Sequence, residues 1–378
     1  MTKLRLGMVG GGQGAFIGGV HRIAARIDGA FDLVAGALSS NPDRARASAA
    51  DLGLAADRSY GAWQDMLAGE AARADGIQAV AIVTPNHMHA APAAAFLAAG
   101  IHVICDKPLA ATMDDALLLE AAATKSKALF ILTHNYTGYP MVRQARAMIA
   151  AGELGDIRLV QVEYAQGWLS EPIEQTGQKQ AAWRTDPAQA GGGAIGDIGT
   201  HAFNLMRFVS GLQVQEIAAE MSSMVAGRRV DDNVQVMLRL QGGARGALWA
   251  SQVALGEENA LRLRIYGSKG ALEWAQENPN QLWFTPLNGP RRLLTRGSGG
   301  MHDAATRVTR IPAGHPEGYL EGFATIYAEA ALAIRAHAAG AARDPAITYP
   351  TLADGMEGMR FIAACGKSSS QNAAWVTL

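Results

Sequence analysis

Along the first third of the chain, runs that are apolar at nearly every position alternate with alanine-rich stretches of helical spacing. The runs are LRLGMVG from Leu4, FDLVAGALS from Phe31, IQAVAIVTP from Ile77, IHVICDKP from Ile101 and ALFILTHN from Ala128. Helix candidates between them span Pro42 to Leu52, Pro92 to Ala99 and Met113 to Ser126. Strands apolar on both faces and separated by helices predict a parallel sheet covered on each side, a doubly wound α/β domain over 1–133. After residue 134 the pattern changes. MVRQARAMIAAGELG reads as a helix stopped by glycine, and RLVQVEYA, NVQVMLRLQ, ARGALWASQVA, LRLRIYG and ALEWA follow as strands that mostly alternate apolar and polar positions. Turn signals at Gly242-Gly243 and Gly267-Ser268-Lys269-Gly270 separate them. This half, 134–378, is expected to be an α+β domain on a large open, mainly antiparallel sheet. Its C-terminal helix and strand are expected to pack back near the first domain. One sheet face left free predicts a homo-oligomer, a dimer or tetramer.

Composition narrows the partners. The 378 residues are 49% apolar, and 33 basic against 34 acidic residues leave a formal charge of −1. No broad field draws nucleic acid or a membrane surface, and a small neutral ligand fits better. No run reaches the roughly 18 uninterrupted apolar residues of a membrane span. The two cysteines, Cys105 and Cys365, lie far apart and point to a reducing compartment. Lys3 and Arg5 interrupt the first apolar residues, so no signal-peptide core is expected and a cytoplasmic location is.

The first strand runs into six glycines among the ten residues from Gly10 to Gly19. In a G-x-G-x-x-G turn the first glycine turns the chain, the second admits a pyrophosphate, and the third lets helix pack on strand. Gly10 and Gly12 meet the first two positions. The third falls on Ala15, or on Gly18 if three residues are inserted; the insertion is preferred, with Phe16 and Ile17 in a longer loop and His21 on the first turn of a helix starting near Gly18. Gln13 and Gly14 complete the candidate phosphate loop. An acid ending the second strand would mark NAD and a nearby arginine NADP. Here Ser39, Ser40 and Asn41 offer ribose partners, while Arg44 leaves the 2′-phosphate open; NAD is expected and NADP stays an alternative.

Thr84, Pro85 and Asn86 close the third strand within TPNHMH, and Asp106, Lys107 and Pro108 close the fourth. A lysine at the carboxyl end of an apolar strand can hydrogen-bond a substrate oxygen and favour its alkoxide character. In GDIGTHAFNL, helical spacing puts Asp197, His201 and Asn204 on one face at i, i+4 and i+7. An imidazole is suited to remove a hydroxyl proton at neutral pH, and a carboxylate one turn away can orient it or the substrate. Glycines 191 to 193 would let backbone approach a ligand. The spacing of His87, His89, His134 and His315 does not resemble a ligand set, so no metal is expected. HPEGY, from His315, reads equally as a pocket element or as a helix cap with Pro316 and Glu317 in the first turn.

Together these motifs resemble the Gfo/Idh/MocA family of sugar and polyol dehydrogenases: the glycine loop, TPNHMH, CDKP for E-K-P, GDIGTHAFN for D-x-G-x-H-x-x-D, HPEGY and the closing ADGMEGMRFIAACGKSSSQNAAWVTL. The resemblance covers essentially the whole chain. It implies a Rossmann domain joined to a domain whose open sheet mediates dimers and tetramers. It further implies Lys107 and His201 at the reacting hydroxyl and Asp197 holding substrate or histidine. His89 and Asp106 join the nucleotide contacts it implies, and Asn135, Tyr136, Trp183, Arg184 and His315 the substrate contacts. Three departures stand out: a longer glycine loop, Asp106 for glutamate, and Asn204 for the second aspartate. The function implied is oxidation of a hydroxyl of a cyclic polyol or pyranose by hydride transfer to nicotinamide. Alternatives are rearrangement or glycoside cleavage through transient oxidation with tightly held NAD, and a sugar-sensing regulator without catalysis.

Overall fold

A computed structural model describes residues 2–378, and the chain divides into two units, Met1–Asn135 with Tyr319–Met356, and Tyr136–Gly318 with Glu357–Leu378. In the first unit, β1 (Leu4–Gly10), β2 (Phe31–Ala37), β3 (Ala79–Val83), β4 (His102–Cys105) and β5 (Phe130–Leu132) form one sheet in the order β2-β1-β3-β4-β5, every pair parallel. A parallel bridge from Gly36 to Ser59 extends it one residue beyond β2. Strands β3, β4 and β5 are buried at every position, which is why they read as unbroken apolar runs. The strand order reverses beside β1, so its glycine loop opens at the switch point where such sheets take ligands.

The first unit is completed by a segment distant in sequence. Helix Tyr319–Ala338 places Phe323, Tyr327, Ala331 and Ile334 in the same core as Leu6 and Phe31. Its N-terminal half packs along helix α1 (Phe16–Ile27), with Tyr319 stacked 6.5 Å from Phe16.

This unit buries four imidazoles, His21, His89, His102 and His134, and the values of three are strongly displaced. Burial pushes His21 and His102 down to about 4 and His134 to about 3, with His337 adding to the effect on His102 and Lys107 to that on His134. Each is neutral when folded and binds a proton more readily when unfolded, where its value is near 6.5. Stability from these groups is therefore complete above about pH 6.5 and falls as pH drops through the folded values. Urea denaturation at pH 4.5 is expected to give an unfolding free energy on the order of 5 kcal/mol below that at pH 7.5. A flat profile across that window would contradict neutral burial.

In the second unit nine strands run β13-β12-β11-β10-β6-β9-β8-β7-β14. They are β6 (Ile157–Ala165), β7 (Val214–Ser222), β8 (Asn233–Leu240), β9 (Arg245–Ser251), β10 (Ala260–Gly267), β11 (Gly270–Ala275), β12 (Gln281–Pro286), β13 (Arg292–Thr295) and β14 (Val376–Thr377). All neighbours are antiparallel except β6 and β9. The closing strand β14 thus pairs within this unit's own sheet. Val234, Val236, Leu238 and Leu240 of β8 point to a core shared with helices Pro140–Ala150 and Thr200–Ser210. The opposite face carries Leu159, Met237 and Tyr266 exposed, among the ion pairs of Glu163 with Arg262 and Arg264. Among the described residues no helix is long and apolar enough to cross a membrane, and no cluster of three His, Cys, Asp or Glu side chains could hold a metal.

Candidate active site

The glycine loop turns at Gly10, Gly11 and Gly14, each with φ between 73° and 80°. Helix α1 begins at Phe16, directly after Ala15, whose N–H bonds the Gly12 carbonyl at 3.0 Å. This corrects the expected late start near Gly18. Three residues, Gln13 to Ala15, close the turn, so Phe16 and Ile17 lie in the first helical turn and His21 in the second. Gly18 nevertheless is the glycine that lets helix approach strand, because a Cβ there would collide with the backbone of Gly11. A Cβ on Gly12 would lie 2.6 Å from both the Leu38 carbonyl oxygen and Ser48 Oγ.

Outside the loop the space is open. Gly14 has nothing within 4 Å of a Cβ position, Phe16 is 69% exposed, and a cavity of about 520 Å³ is lined by residues 12–16 with Arg22 and Ser48. Ala15 supplies no side-chain cap, and no acid sits in the first turn of α1. Unsatisfied first-turn N–H groups facing a Cβ-free cradle suit a pyrophosphate. Arg22 supports the loop from inside through Nη1 on the Gly11 carbonyl oxygen at 2.6 Å. At the end of β2, Ser39 Oγ accepts the Asn41 N–H, and Asn41 Oδ1 caps helix α2 (Pro42–Asp51) by accepting the Arg44 N–H at 2.9 Å. Ser40, Asn41 and Arg44 are exposed.

The other strand ends gather beside this loop. Thr84 Oγ1 donates to the Met88 carbonyl oxygen, Pro85 precedes the short turn Asn86–Met88, and Asn86 is buried. His89 is withdrawn from any nucleotide, contrary to expectation: it is fully buried, with Nδ1 at 2.8 Å from the Pro108 carbonyl oxygen and Nε2 at 2.9 Å from that of Thr84. It braces two strand ends, since both ring nitrogens already face carbonyls. Asp106 is buried and accepts the Lys107 N–H at 2.9 Å and the Thr133 hydroxyl at 3.1 Å, while Lys107 itself is half-buried. Asn135, at the close of β5, is buried with its Nδ2 lacking a hydrogen-bond partner among the described residues. That is a donor kept from water, suited to a ligand acceptor.

The second unit brings Asp197 and His201 one turn apart. Residues Ile195–Gly199 form a π-turn that leads into helix Thr200–Ser210, so Asp197 lies in the π-turn and His201 in the helix. Small Gly196 and Gly199 accommodate the wider turn, and such turns concentrate at functional sites. Asp197 Oδ2 accepts from Gln252 Nε2 at 2.8 Å and Arg184 Nε at 3.2 Å. Arg184 in turn stacks 4.3 Å from the Trp183 ring and donates to Gln180 Oε1. His201 is buried, with Tyr136 edge-on at 4.9 Å and Tyr164 at 6.1 Å. The Tyr136 hydroxyl is 2.6 Å from that of Tyr164, which donates to Asn259 Oδ1, and burial pushes the Tyr136 phenol up to about 12. Tyr136 thus clamps the imidazole rather than titrating. Asn204 is buried on the same helix.

A third expectation, backbone approach to a ligand at glycines 191 to 193, is corrected at Gly193. Gly193 approaches its own chain, since a Cβ there would overlap the Asp231 carbonyl oxygen. The Asp231 carboxylate accepts the N–H groups of Gly193 and Ile195 at 2.8 and 2.7 Å and anchors the start of the π-turn. HPEGY resolves otherwise too. The helix starts at Tyr319; Glu317 is buried, pairs with Arg296 at 2.9 Å and accepts the N–H groups of Arg310 and Ile311. The His315 side chain is exposed, and its carbonyl oxygen accepts from Arg296. Gln252 and Asp231 escaped the sequence reading because strand alternation tells which face a residue takes, not which distant partner it meets.

Residues 4–134 match the model of an oxidoreductase family with an NAD-binding Rossmann fold, and residues 142–273 match the GFO/IDH/MocA C-terminal domain. The structure of an oxidoreductase from Sinorhizobium meliloti is 56% identical, covers 100% of both chains and superposes with a TM-score of 0.91. That of an inositol dehydrogenase homolog from Azotobacter vinelandii complexed with NAD⁺ is 39% identical over 100% of this chain and 98% of that one, with a TM-score of 0.95. The same homolog complexed with NADH and myo-inositol has a TM-score of 0.93 at 38% identity, again covering 100% and 98% of the two chains. Levoglucosan dehydrogenase from Pseudarthrobacter phenanthrenivorans is 29% identical over 83% of this chain and 85% of its own.

Proposed function

Because this chain belongs to the GFO/IDH/MocA oxidoreductase family, we propose that it is an NAD-dependent dehydrogenase that oxidises one ring hydroxyl of a cyclic polyol or pyranose sugar. The observation that carries the reading is the pair of Asp197 and His201 on consecutive turns, the carboxylate held by Gln252 and Arg184 and the imidazole clamped by Tyr136. Relatives with NADH and myo-inositol, and one named for levoglucosan, support the substrate class.

NAD, when bound, supplies the acceptor for the hydride that leaves the carbinol carbon. The glycine loop and the first turn of α1 would hold its pyrophosphate, and Ser39, Ser40 and Asn41 would offer partners to its ribose. His201 is the group for the hydroxyl proton as the carbonyl forms, and Lys107, at its strand end in the first unit, carries the charge suited to a developing oxyanion. Asp197 orients substrate or imidazole, its own position fixed by two donors. Exposed apolar residues on the open face of the nine-stranded sheet support a homo-oligomer built across it.

Spectrophotometry of the purified protein with NAD and NADP over inositol stereoisomers, pyranoses and anhydrosugars is expected to show net reduced nicotinamide with a ring polyol. Nucleotide binding without turnover across that panel would favour a regulator, and product without net reduced cofactor would favour rearrangement. Gly18→Ala is expected to weaken NAD binding about tenfold, because the methyl group must push helix from strand beneath the phosphates. Titration of protein fluorescence with NAD checks it.

A further inference from the structure

Behind the strand end that carries Lys107, the first unit buries a polar cluster for which the proposed chemistry has no use. His21, in the second turn of α1, is fully buried against Phe323, 5.0 Å between rings, and Tyr327, whose hydroxyl lies 2.8 Å from its Nδ1. Among the described residues its Nε2 has no hydrogen-bond partner, and it points to Asp106 Oδ1 across 4.0 Å. That same oxygen accepts the Lys107 N–H and the Thr133 hydroxyl.

Protons in this cluster can be assigned from charge. Burial keeps both the imidazole neutral and the phenol protonated. If Nδ1 carried the proton, an Nε2 lone pair would face a carboxylate oxygen at 4.0 Å, which is repulsive. Tyr327 therefore donates to Nδ1, and an Nε2–H dipole points at Asp106. A buried N–H without an acceptor in reach is rare enough to need a reason. Here the group it aims at supplies one.

We propose that His21 and Tyr327 are positioning residues that act through Asp106 to fix the backbone turn presenting Lys107. The contact is longer than a hydrogen bond, so it orients the carboxylate by its dipole and leaves Oδ1 to the Lys107 N–H. Helix Tyr319–Ala338 thereby reaches the strand end through His21 and Asp106. Only the purpose of Lys107 rests on the dehydrogenase reading; the link itself is a property of the unliganded chain.

The Lys107 amide N–H reports that link without substrate. Gln at 21 can place an amide N–H where Nε2 stands, Asn reaches only the Nδ1 position, and Phe keeps the ring without polarity. Hydrogen exchange of the Lys107 N–H in unliganded protein is expected to quicken about tenfold in His21→Phe and His21→Asn, and to stay within about threefold in His21→Gln. The kcat for the ring polyol is expected to fall in the same order, with KM little changed. Tyr327→Phe, which keeps the aromatic packing, is expected to quicken exchange as well and carries the test if His21→Phe does not fold. Unchanged exchange in the Phe and Asn variants, or a Gln variant indistinguishable from Phe, would overturn the proposal. Absence of turnover in the wild-type protein would instead overturn the dehydrogenase reading and leave the exchange result standing.

Discussion

His201→Ala is expected to lower kcat at pH 7 by about 1,000-fold, the span usual for losing a positioned proton acceptor. The NAD dissociation constant is expected to change less than about threefold, since the glycine loop belongs to the other unit. The imidazole sits on a helix that begins in a π-turn, with one ring edge-on to it and a carboxylate one turn before it. Truncation leaves Tyr136, Tyr164 and Asn259 hydrogen-bonded to one another, so the fold is expected to hold and the loss to be chemical. Lys107→Ala is expected to lower kcat by about 100-fold, in line with removing one group that stabilises a developing oxyanion. Steady-state kinetics together with nucleotide titration decide both. A His201→Ala enzyme within tenfold of wild type would end the assignment of the imidazole as base.

The second large effect is expected at Gly193, which touches no candidate ligand. A Cβ on Gly193 would overlap the Asp231 carbonyl oxygen, a backbone atom that cannot swing away. Gly193→Ala is therefore expected to destabilise the protein by about 3 kcal/mol, at the upper end of overpacking costs. It is expected to take most of kcat with it, because relief of the clash moves the turn that bears Asp197. Asp231→Ala acts on the same anchor by another route. It strips the acceptor from the N–H groups of Gly193 and Ile195, and a buried unmatched donor costs about 1 to 3 kcal/mol. Urea denaturation and kinetics on both variants test the anchor; wild-type stability in Gly193→Ala would show that the turn is not tied to Asp231.

Neither Asp231 nor Gln252 was legible in the sequence, although both hold the acid–base segment. Asp231 lies just before the strand NVQVMLRLQ, and Gln252 near the end of the alternating strand ARGALWASQVA. Their partners lie 36 and 55 positions away, reached only because β8 and β9 run beneath the π-turn. The i, i+4 spacing of Asp197 and His201 could be read because it is local. The π-turn could not, since its extra residue depends on what packs around it. His89 misled for a related reason: its neighbours in TPNHMH do close a strand, but the carbonyls that claim its ring belong to Thr84 and Pro108.

What the sequence alone determined were features set by neighbours along the chain. These are the fully apolar runs of the parallel sheet, the alternating strands of the second sheet, a glycine cluster at a strand-to-helix turn, and two chemical groups one turn apart. Tertiary structure alone decided that the helix starts at Phe16, ahead of Gly18, the glycine already preferred for the third position. It also drew the helix from Tyr319 into the first core and made anchors of Asp231, Gln252 and His21. The physical reason is range: periodicity and backbone preference act over a few residues. The partners of a buried carboxylate or imidazole are chosen by sheet register and helix packing, which bring together residues tens to hundreds of positions apart.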